Sequence, residues 1–229
     1  NEKEFLLIVN AINVKKDIKW IEKNKTEATT SIENITNQTS MIALQGPNSK
    51  NVLDEVLKKN VEIKRFEFFE ETKYGNMIIS RTGYTGEDGY ELIIFDNEKI
   101  MQIWNEFLQT NIKFDLRPCG LGARDTLRIE AGFPIYGKEI HEEISPVEAG
   151  LKWIISNKNK RYIGCETIKE KLKNNPKRKR IGVKMFDRGI PRDECKILDD
   201  EAAYNDEIKI MIRNIAARKH LLKDLYKDK

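Results

Sequence analysis

Apolar positions recur along this chain at two spacings. A 3.6-residue period predicts helices and an alternating or continuous apolar run predicts strands. Val14, Ile18 and Ile21, with Trp20, predict a helix over Val14–Lys23. Val52, Leu53, Val56 and Leu57 give a second helix its buried face, and Pro47 suits that helix's first position. Ile100, Ile103, Trp104, Phe107 and Leu108 mark a third. Gly120–Ala131 predicts a helix with a glycine-rich first turn, stopped by Gly132, and Ile163–Asn174 predicts another. Strands are expected at Phe5–Asn10, Met41–Gln45, Phe66–Glu71, Met77–Arg81, Tyr90–Phe95 and Leu151–Ile155, with a turn at Tyr74-Gly75-Asn76. The polar stretch Thr26–Ser40 is a hairpin or loop. Pro176 and the basic run after it form a boundary between a domain over 1–175 and a second over 176–229. The second, mostly β, opens with Arg180–Phe186 and Cys195–Leu198. The closing residues, Ile215–Lys229, read as an amphipathic helix.

Composition narrows this picture more than it changes it. In 229 residues, 39% are hydrophobic and 34% charged, a globular mix able to bury a core. No stretch approaches the about 20 apolar residues of a membrane span, so no membrane role is expected. A net charge of +4, from 41 basic and 37 acidic residues, is too mild to argue for nucleic acid. The run Pro176-Lys177-Arg178-Lys179-Arg180 is read as a solvated linker. Cys119, Cys165 and Cys195 lack metal-ligand or redox spacing, which implies free thiols in a reducing, cytoplasmic compartment. With His141 and His220 as the only histidines, neither a zinc site nor a histidine-based triad is expected, and any acid–base work falls to carboxylates, tyrosines or lysines. The first residue, Asn1, is not a methionine and no leader pattern follows it; a fragment or a processed chain is expected.

Candidate chemistry concentrates in Arg81-Thr82-Gly83-Tyr84-Thr85-Gly86-Glu87-Asp88-Gly89-Tyr90-Glu91. Three glycines, two phenols and three carboxylates lie in a loop that runs straight into a strand, which suits a pocket for a flat, nitrogen-rich molecule that backbone approaches closely. A strand and not a helix follows, so this is no dinucleotide fingerprint. If Leu92 and Ile94 face the core, Glu91 and Ile93 share the other face. A carboxylate there is better explained by a ligand than by solvent, since it accepts parallel N–H bonds and charge-assisted bonds are strong. In Gly120-Leu121-Gly122-Ala123-Arg124-Asp125-Thr126-Leu127-Arg128, Arg124 and Arg128 lie one turn apart on one helix face. Arg124 is either an anchor for carboxylate or carbonyl oxygens or part of a surface ion-pair helix.

Taken with Glu130-Ala131-Gly132-Phe133-Pro134-Ile135-Tyr136-Gly137-Lys138-Glu139, Phe5-Leu6-Leu7-Ile8-Val9-Asn10-Ala11, Ala43-Leu44-Gln45-Gly46-Pro47, Tyr162-Ile163-Gly164, and Lys179 to Val183 followed by Asp187-Arg188-Gly189-Ile190-Pro191-Arg192, these stretches resemble the glycine-cleavage T-protein family. That family comprises the tetrahydrofolate-dependent aminomethyltransferases. The resemblance runs from about Glu4 to Leu198. It implies an α+β fold: a folate-binding domain of mixed sheets and helices around a central channel, followed by a β-barrel. It implies tetrahydrofolate as one-carbon acceptor, no metal, and the lipoyl carrier (H-protein) as partner, which brings an aminomethyl group and from which ammonia is released. Carried over by motif, Glu91 and Arg124 are the folate-binding carboxylate and arginine, Tyr84 lines the pterin slot and Asn10 lies near it. The family's catalytic aspartate sits in an Asp-Asp-Leu motif upstream of Asn1, so no catalytic residue is assigned. The passage from Leu198-Asp199-Asp200 to Glu207 lacks the family's Thr-Ser-Gly segment, so an incomplete barrel and an inactive fragment are expected. The alternatives are a related folate protein of the same fold, acting in iron–sulfur cluster maintenance or demethylation, and a non-catalytic remnant. The order Tyr162-Ile163-Gly164-Cys165 favours the aminomethyltransferase over the repair branch.

Overall fold

The computed structural model describes residues 4–26, 29–155, 162–174, 176, 178 and 180–182. The chain is an α+β protein that divides into two compact units, Asn1–Tyr136 and Gly137–Lys229. The first unit is built on a four-stranded antiparallel sheet of β1 (Ser40–Gln45), β2 (Phe68–Glu71), β3 (Met77–Ser80) and β4 (Gly89–Ile94), in the order β1-β4-β3-β2. Its helices are α1 (Val14–Asn24), α2 (Ser49–Leu57), α3 (Ile100–Leu108), α4 (Asn111–Phe114) and α5 (Leu121–Ala131).

Strand register decides which side chains can reach a ligand. β1 and β4 pair Ile42 with Leu92, Ala43 with Glu91 and Leu44 with Tyr90, while β3 and β4 pair Ile79 with Leu92 and Ser80 with Glu91. Because successive strand side chains point to opposite faces, Ile42, Leu44, Tyr90, Leu92, Ile94, Met77 and Ile79 form one face. With Val52, Leu53, Val56 and Leu57 of α2 and Ile103 and Phe107 of α3, they make the buried core. A fully buried side chain of this size contributes about 1.5–3 kcal/mol, so this cluster carries the unit. The opposite face holds Met41, Ala43, Glu91, Ile93, Ile78, Ser80 and Phe68. Ile93 is buried, yet Met41, Ala43 and Phe68 are exposed.

Helix ends are set locally. α2 starts at Ser49, so Pro47 lies in the turn before the helix instead of at its first position. α5 starts at Leu121, with Gly120 outside it, and ends at Gly132, whose φ of +75° lets its N–H reach back to the Arg128 and Ile129 carbonyls.

Two expected strands are absent among the described residues. Phe5–Asn10 carries no strand pairing, and Phe5, Leu7 and Ile8 are exposed. Leu151–Ile155 instead contains a 3-10 turn, Lys152–Ile154, closed by the Ile155 N–H on the Lys152 carbonyl, with Trp153 exposed. An apolar run becomes a strand only when a neighbour takes its backbone hydrogen bonds, and neither run has one here. In the second unit, α6 (Cys165–Lys173) follows Gly164, whose φ of +84° turns the chain into the helix. The expected domain over 176–229 lies outside the described residues except for Pro176, Arg178 and 180–182, as do Cys195–Leu198 and Ile215–Lys229.

Candidate functional site

The glycine loop between β3 and β4 is closed at its base by an ion pair. Arg81 Nε and Nη2 donate to the two Asp88 carboxylate oxygens at 3.0 and 2.6 Å, and Arg81 Nη1 donates to the Ile63 carbonyl at 2.9 Å. The hydrogen bond from Arg81 holds the Asp88 carboxyl below its ordinary value. The Gly46 N–H binds the Asp88 carbonyl at 2.8 Å and ties the loop to the end of β1.

Inside the loop lies the Gln45 side chain. Its amide Nε2 donates to the carbonyls of Thr82 and Tyr90 at 3.1 and 3.3 Å, and its Oε1 accepts from Thr85 Oγ1 at 3.2 Å. A Cβ at Gly83 would stand 1.9 Å from Gln45 Oε1, and one at Gly89 would stand 2.6 Å from its amide. These two glycines therefore let backbone close on Gln45. Gly86, at φ +82°, lies against Ala131 of α5, where a Cβ would meet the Ala131 Cβ at 2.8 Å.

Glu91 lies on the sheet face opposite the core, as its alternation with Leu92 requires, between Ala43 on β1 and Ser80 on β3. Its Oε2 accepts a short hydrogen bond from Thr82 Oγ1, and that hydroxyl in turn meets Ser80 Oγ at 2.8 Å. Glu91 Oε1 has no hydrogen bond among the described residues, and the side chain is half-buried. One carboxylate oxygen is thus fixed by the protein, while the other is available.

Tyr84 leans on the segment after α5. Its hydroxyl donates to the Pro134 carbonyl at 2.5 Å, and its ring stacks on Phe133 with centroids 5.6 Å apart and planes 14° apart. The Arg124 guanidinium lies over the Tyr84 ring, 4.8 Å from its centre. Arg124 is exposed, and no carboxylate pairs with it among the described residues. Asn10 is exposed and caps the 3-10 turn at Ala11–Asn13 by accepting from the Ile12 N–H at 3.4 Å; no described contact joins it to Tyr84, Glu91 or Arg124. The structure thus brings together Tyr84, Phe133 and Arg124, and separately Glu91, Thr82 and Ser80, with the loop connecting the two groups.

Two residues of this region are not legible as such in the sequence. Gln45 reads there as the end of a strand and as part of a family stretch, with no role at the site assigned to it. Arg128, one turn from the exposed Arg124, is among the largest fully buried side chains of the described residues. Its Nε donates to Asp125 at 2.7 Å and its Nη1 to the Phe133 carbonyl at 3.1 Å, which fixes the residue that stacks on Tyr84. Among the described residues no cluster of three or more His, Cys, Asp or Glu could hold a metal ion, and no helix is long and apolar enough to cross a membrane.

Residues 1–159 match the GCVT N-terminal domain family. The chain belongs to that family. It is 39% identical over 203 residues to an aminomethyltransferase of Thermoanaerobacter pseudethanolicus, a match covering 87% of this chain and 55% of that protein. It is 41% identical over 208 residues to an aminomethyltransferase of Oceanobacillus iheyensis, covering 87% of this chain and 56% of the other. Among solved structures it is similar to glycine cleavage system aminomethyltransferase T from Bartonella henselae, with a TM-score of 0.66 and 28% identity over 78% of this chain and 48% of that one. The chain therefore spans about half the length of the relatives it matches.

Proposed function

We propose that this chain supplies the folate-binding wall of a tetrahydrofolate-dependent aminomethyltransferase of the glycine cleavage system. Family membership supports the reading, and the observation that carries it is the state of Glu91. One carboxylate oxygen is held by Thr82, the other is available, and both stand on the sheet face away from the core. The edge of a pterin ring offers N–H donors side by side, and a fixed carboxylate is their natural acceptor. Tetrahydrofolate fits the remaining donors too. Arg124 is an exposed guanidinium without a carboxylate partner among the described residues, suited to the carbonyl or carboxylate oxygens of the rest of the molecule. Tyr84 shapes the wall through its stack on Phe133 and its bond to Pro134, so both its ring and its hydroxyl are engaged in holding the loop. Asn10 belongs to the proposed site by family position.

In this reading the residues of this chain bind and orient. Glu91 fixes the rotation of the ring, Thr82 fixes Glu91, and Arg124 draws in the anionic end. Tetrahydrofolate takes up the one-carbon unit of an aminomethyl group carried by the lipoyl arm of an H-protein partner. The carbon–nitrogen and carbon–sulfur bonds break, the carbon bonds to two folate nitrogens, and the protons those nitrogens give up leave with the ammonia and the freed thiol of the arm. None of these residues is assigned the proton transfers.

The test is a calorimetric titration of the chain with 5-formyltetrahydrofolate, a stable reduced folate. Glu91→Gln keeps the shape and removes the charge, and its expected cost is about 1.5–3 kcal/mol of binding, with the circular dichroism spectrum unchanged. Equal affinity in the variant and the wild type overturns the assignment.

A further inference from the structure

The amide of Gln45 stands outside the set of ligand-binding residues, yet its partners bracket that set. Thr82 carries the hydroxyl that holds Glu91 Oε2, and Gln45 Nε2 binds the Thr82 carbonyl at 3.1 Å. Tyr90 immediately precedes Glu91, and the same Nε2 binds the Tyr90 carbonyl at 3.3 Å. One nitrogen therefore joins the backbone of the residue that orients the carboxylate to the backbone of the residue next to it. On the other side of the amide, Thr85 Oγ1 donates to Oε1 at 3.2 Å, next to Tyr84 in sequence. Gly83 and Gly89 leave no room for a Cβ against this side chain, so the loop is closed onto the amide as well as bonded to it. A terminal amide is the group that can do this. It donates from one atom and accepts at the other, so it satisfies two carbonyls and a hydroxyl at once without carrying charge.

We propose that Gln45 is a positioning residue for the ligand-binding carboxylate: it clamps the glycine loop to β4 so that Thr82 presents its hydroxyl to Glu91. The inference deepens the folate reading and rests on it for the nature of the ligand; the clamp itself rests on the hydrogen bonds alone. Gln45 touches no ligand in this account and acts only through Thr82 and Glu91. A carboxylate set in advance loses less freedom on binding than one that must be collected from several rotamers.

The experiment compares wild type, Gln45→Met and Gln45→Glu in the full chain, with 5-formyltetrahydrofolate as probe. Methionine fills the same volume without hydrogen bonds, and glutamate keeps the shape while turning the donor into an acceptor that faces two carbonyls. Both variants are expected to bind about tenfold more weakly, Gln45→Met through loss of all three hydrogen bonds of the amide and Gln45→Glu through loss of the two donated by Nε2. The deciding measurement is a double-mutant cycle with Glu91→Gln. If Gln45 acts through Glu91, Gln45→Met costs little more affinity once Glu91 is Gln. Additive losses mean a general structural role and overturn the proposal. Hydrogen exchange, read without ligand, separates the clamp from the folate reading. The amides of 83–89 are expected to exchange faster in both variants while those of β1, β3 and β4 stay as in wild type. Unchanged exchange in the loop overturns the clamp. Faster exchange in a chain whose wild type ignores the probe sustains the clamp and overturns the folate reading instead.

Discussion

Gln45 and Glu148 each fasten irregular backbone in this protein, and they do so by opposite means. In the first unit, neutral Gln45 fills the space beneath two glycines and binds two carbonyls and a hydroxyl. In the second, Glu148 works by charge. Its Oε2 accepts from the Ser145 N–H and hydroxyl at 2.9 and 2.6 Å and from Lys171 Nζ at 2.8 Å, and its Oε1 accepts from Arg178 Nε at 3.1 Å. The Arg180 N–H binds its backbone carbonyl at 3.1 Å. Glu148 is buried, while Lys171 and Arg178 keep contact with water. The first unit owns a sheet and a large core, and its loop is held by this neutral filler together with the Arg81–Asp88 pair at its base. Among the described residues the second unit has no strand, and one carboxylate gathers the turn 145–148, α6 and the segment at 178–180. Neutral fastening is indifferent to pH and salt; charged fastening depends on both.

The comparison breaks first at Arg128, a charged side chain that fastens backbone inside the first unit. Its guanidinium is buried and binds Asp125 and the Phe133 carbonyl. Arg128→Met removes those bonds while keeping much of the packing, and about 2–4 kcal/mol of stability is the expected cost. Chemical denaturation of the first unit measures it, together with weaker tyrosine signals from the displaced Tyr84–Phe133 stack. A loss below that of an ordinary surface substitution means that charge is dispensable in this unit altogether.

A smaller effect sharpens the contrast. The hydrogen bond from Lys171, helped by the Ser145 and Arg178 bonds, holds the Glu148 carboxyl well below its ordinary 4.5. Its folded form thus binds fewer protons than the unfolded chain. The stability it contributes is complete above about pH 5 and drains as pH falls through and below the ordinary carboxylate range. Followed by hydrogen exchange from pH 7 downward, segment 144–151 is expected to lose protection before the 83–89 loop. That loop carries one ion pair of its own, Arg81–Asp88, whose partners are 31% and 41% exposed, and such a pair adds at most about 1 kcal/mol. Glu148→Gln should abolish the difference between the two segments, and acid loss that begins in the glycine loop would contradict the division.

The smallest effect concerns Arg124, which rests on a ring and not on a carboxylate. Arg124→Lys is expected to leave the unfolding free energy within about 0.5 kcal/mol of wild type, as for most surface substitutions. The same change should weaken reduced-folate binding by about threefold to tenfold, because an ammonium lacks the planar fork. Measuring both on one sample tells whether this cation serves the fold or the ligand.

Much of the first unit was legible in the chain alone. Helices α1, α2 and α3 follow the spacing of their apolar residues, because a helix face is a local property. The strand over 89–94 was legible too, as was the separation of Glu91 from Leu92 and Ile94, since the two-residue period admits no other assignment once one face is buried. The runs at 5–10 and 151–155 misled for the converse reason: apolar content is local, but a strand also needs a partner, which composition does not name.

The sequence by itself determined the family signature, helices α1, α2, α3, α5 and α6, the two faces of the strand that carries Glu91, and the candidate residues Glu91, Arg124 and Tyr84. It did so because each depends on periodicity or on a short motif. Only the tertiary structure decided that Gly83 and Gly89 close on Gln45, which oxygen of Glu91 is engaged, and that Arg124 and Arg128, one turn apart, meet opposite fates, one exposed on an aromatic ring and the other buried against Asp125 and the Phe133 carbonyl. It also decided that Gln45, 37 positions before Thr82, is its hydrogen-bond partner. Such facts arise where distant segments meet, and the free energy of each contact belongs to the pair and not to either residue's place in the chain.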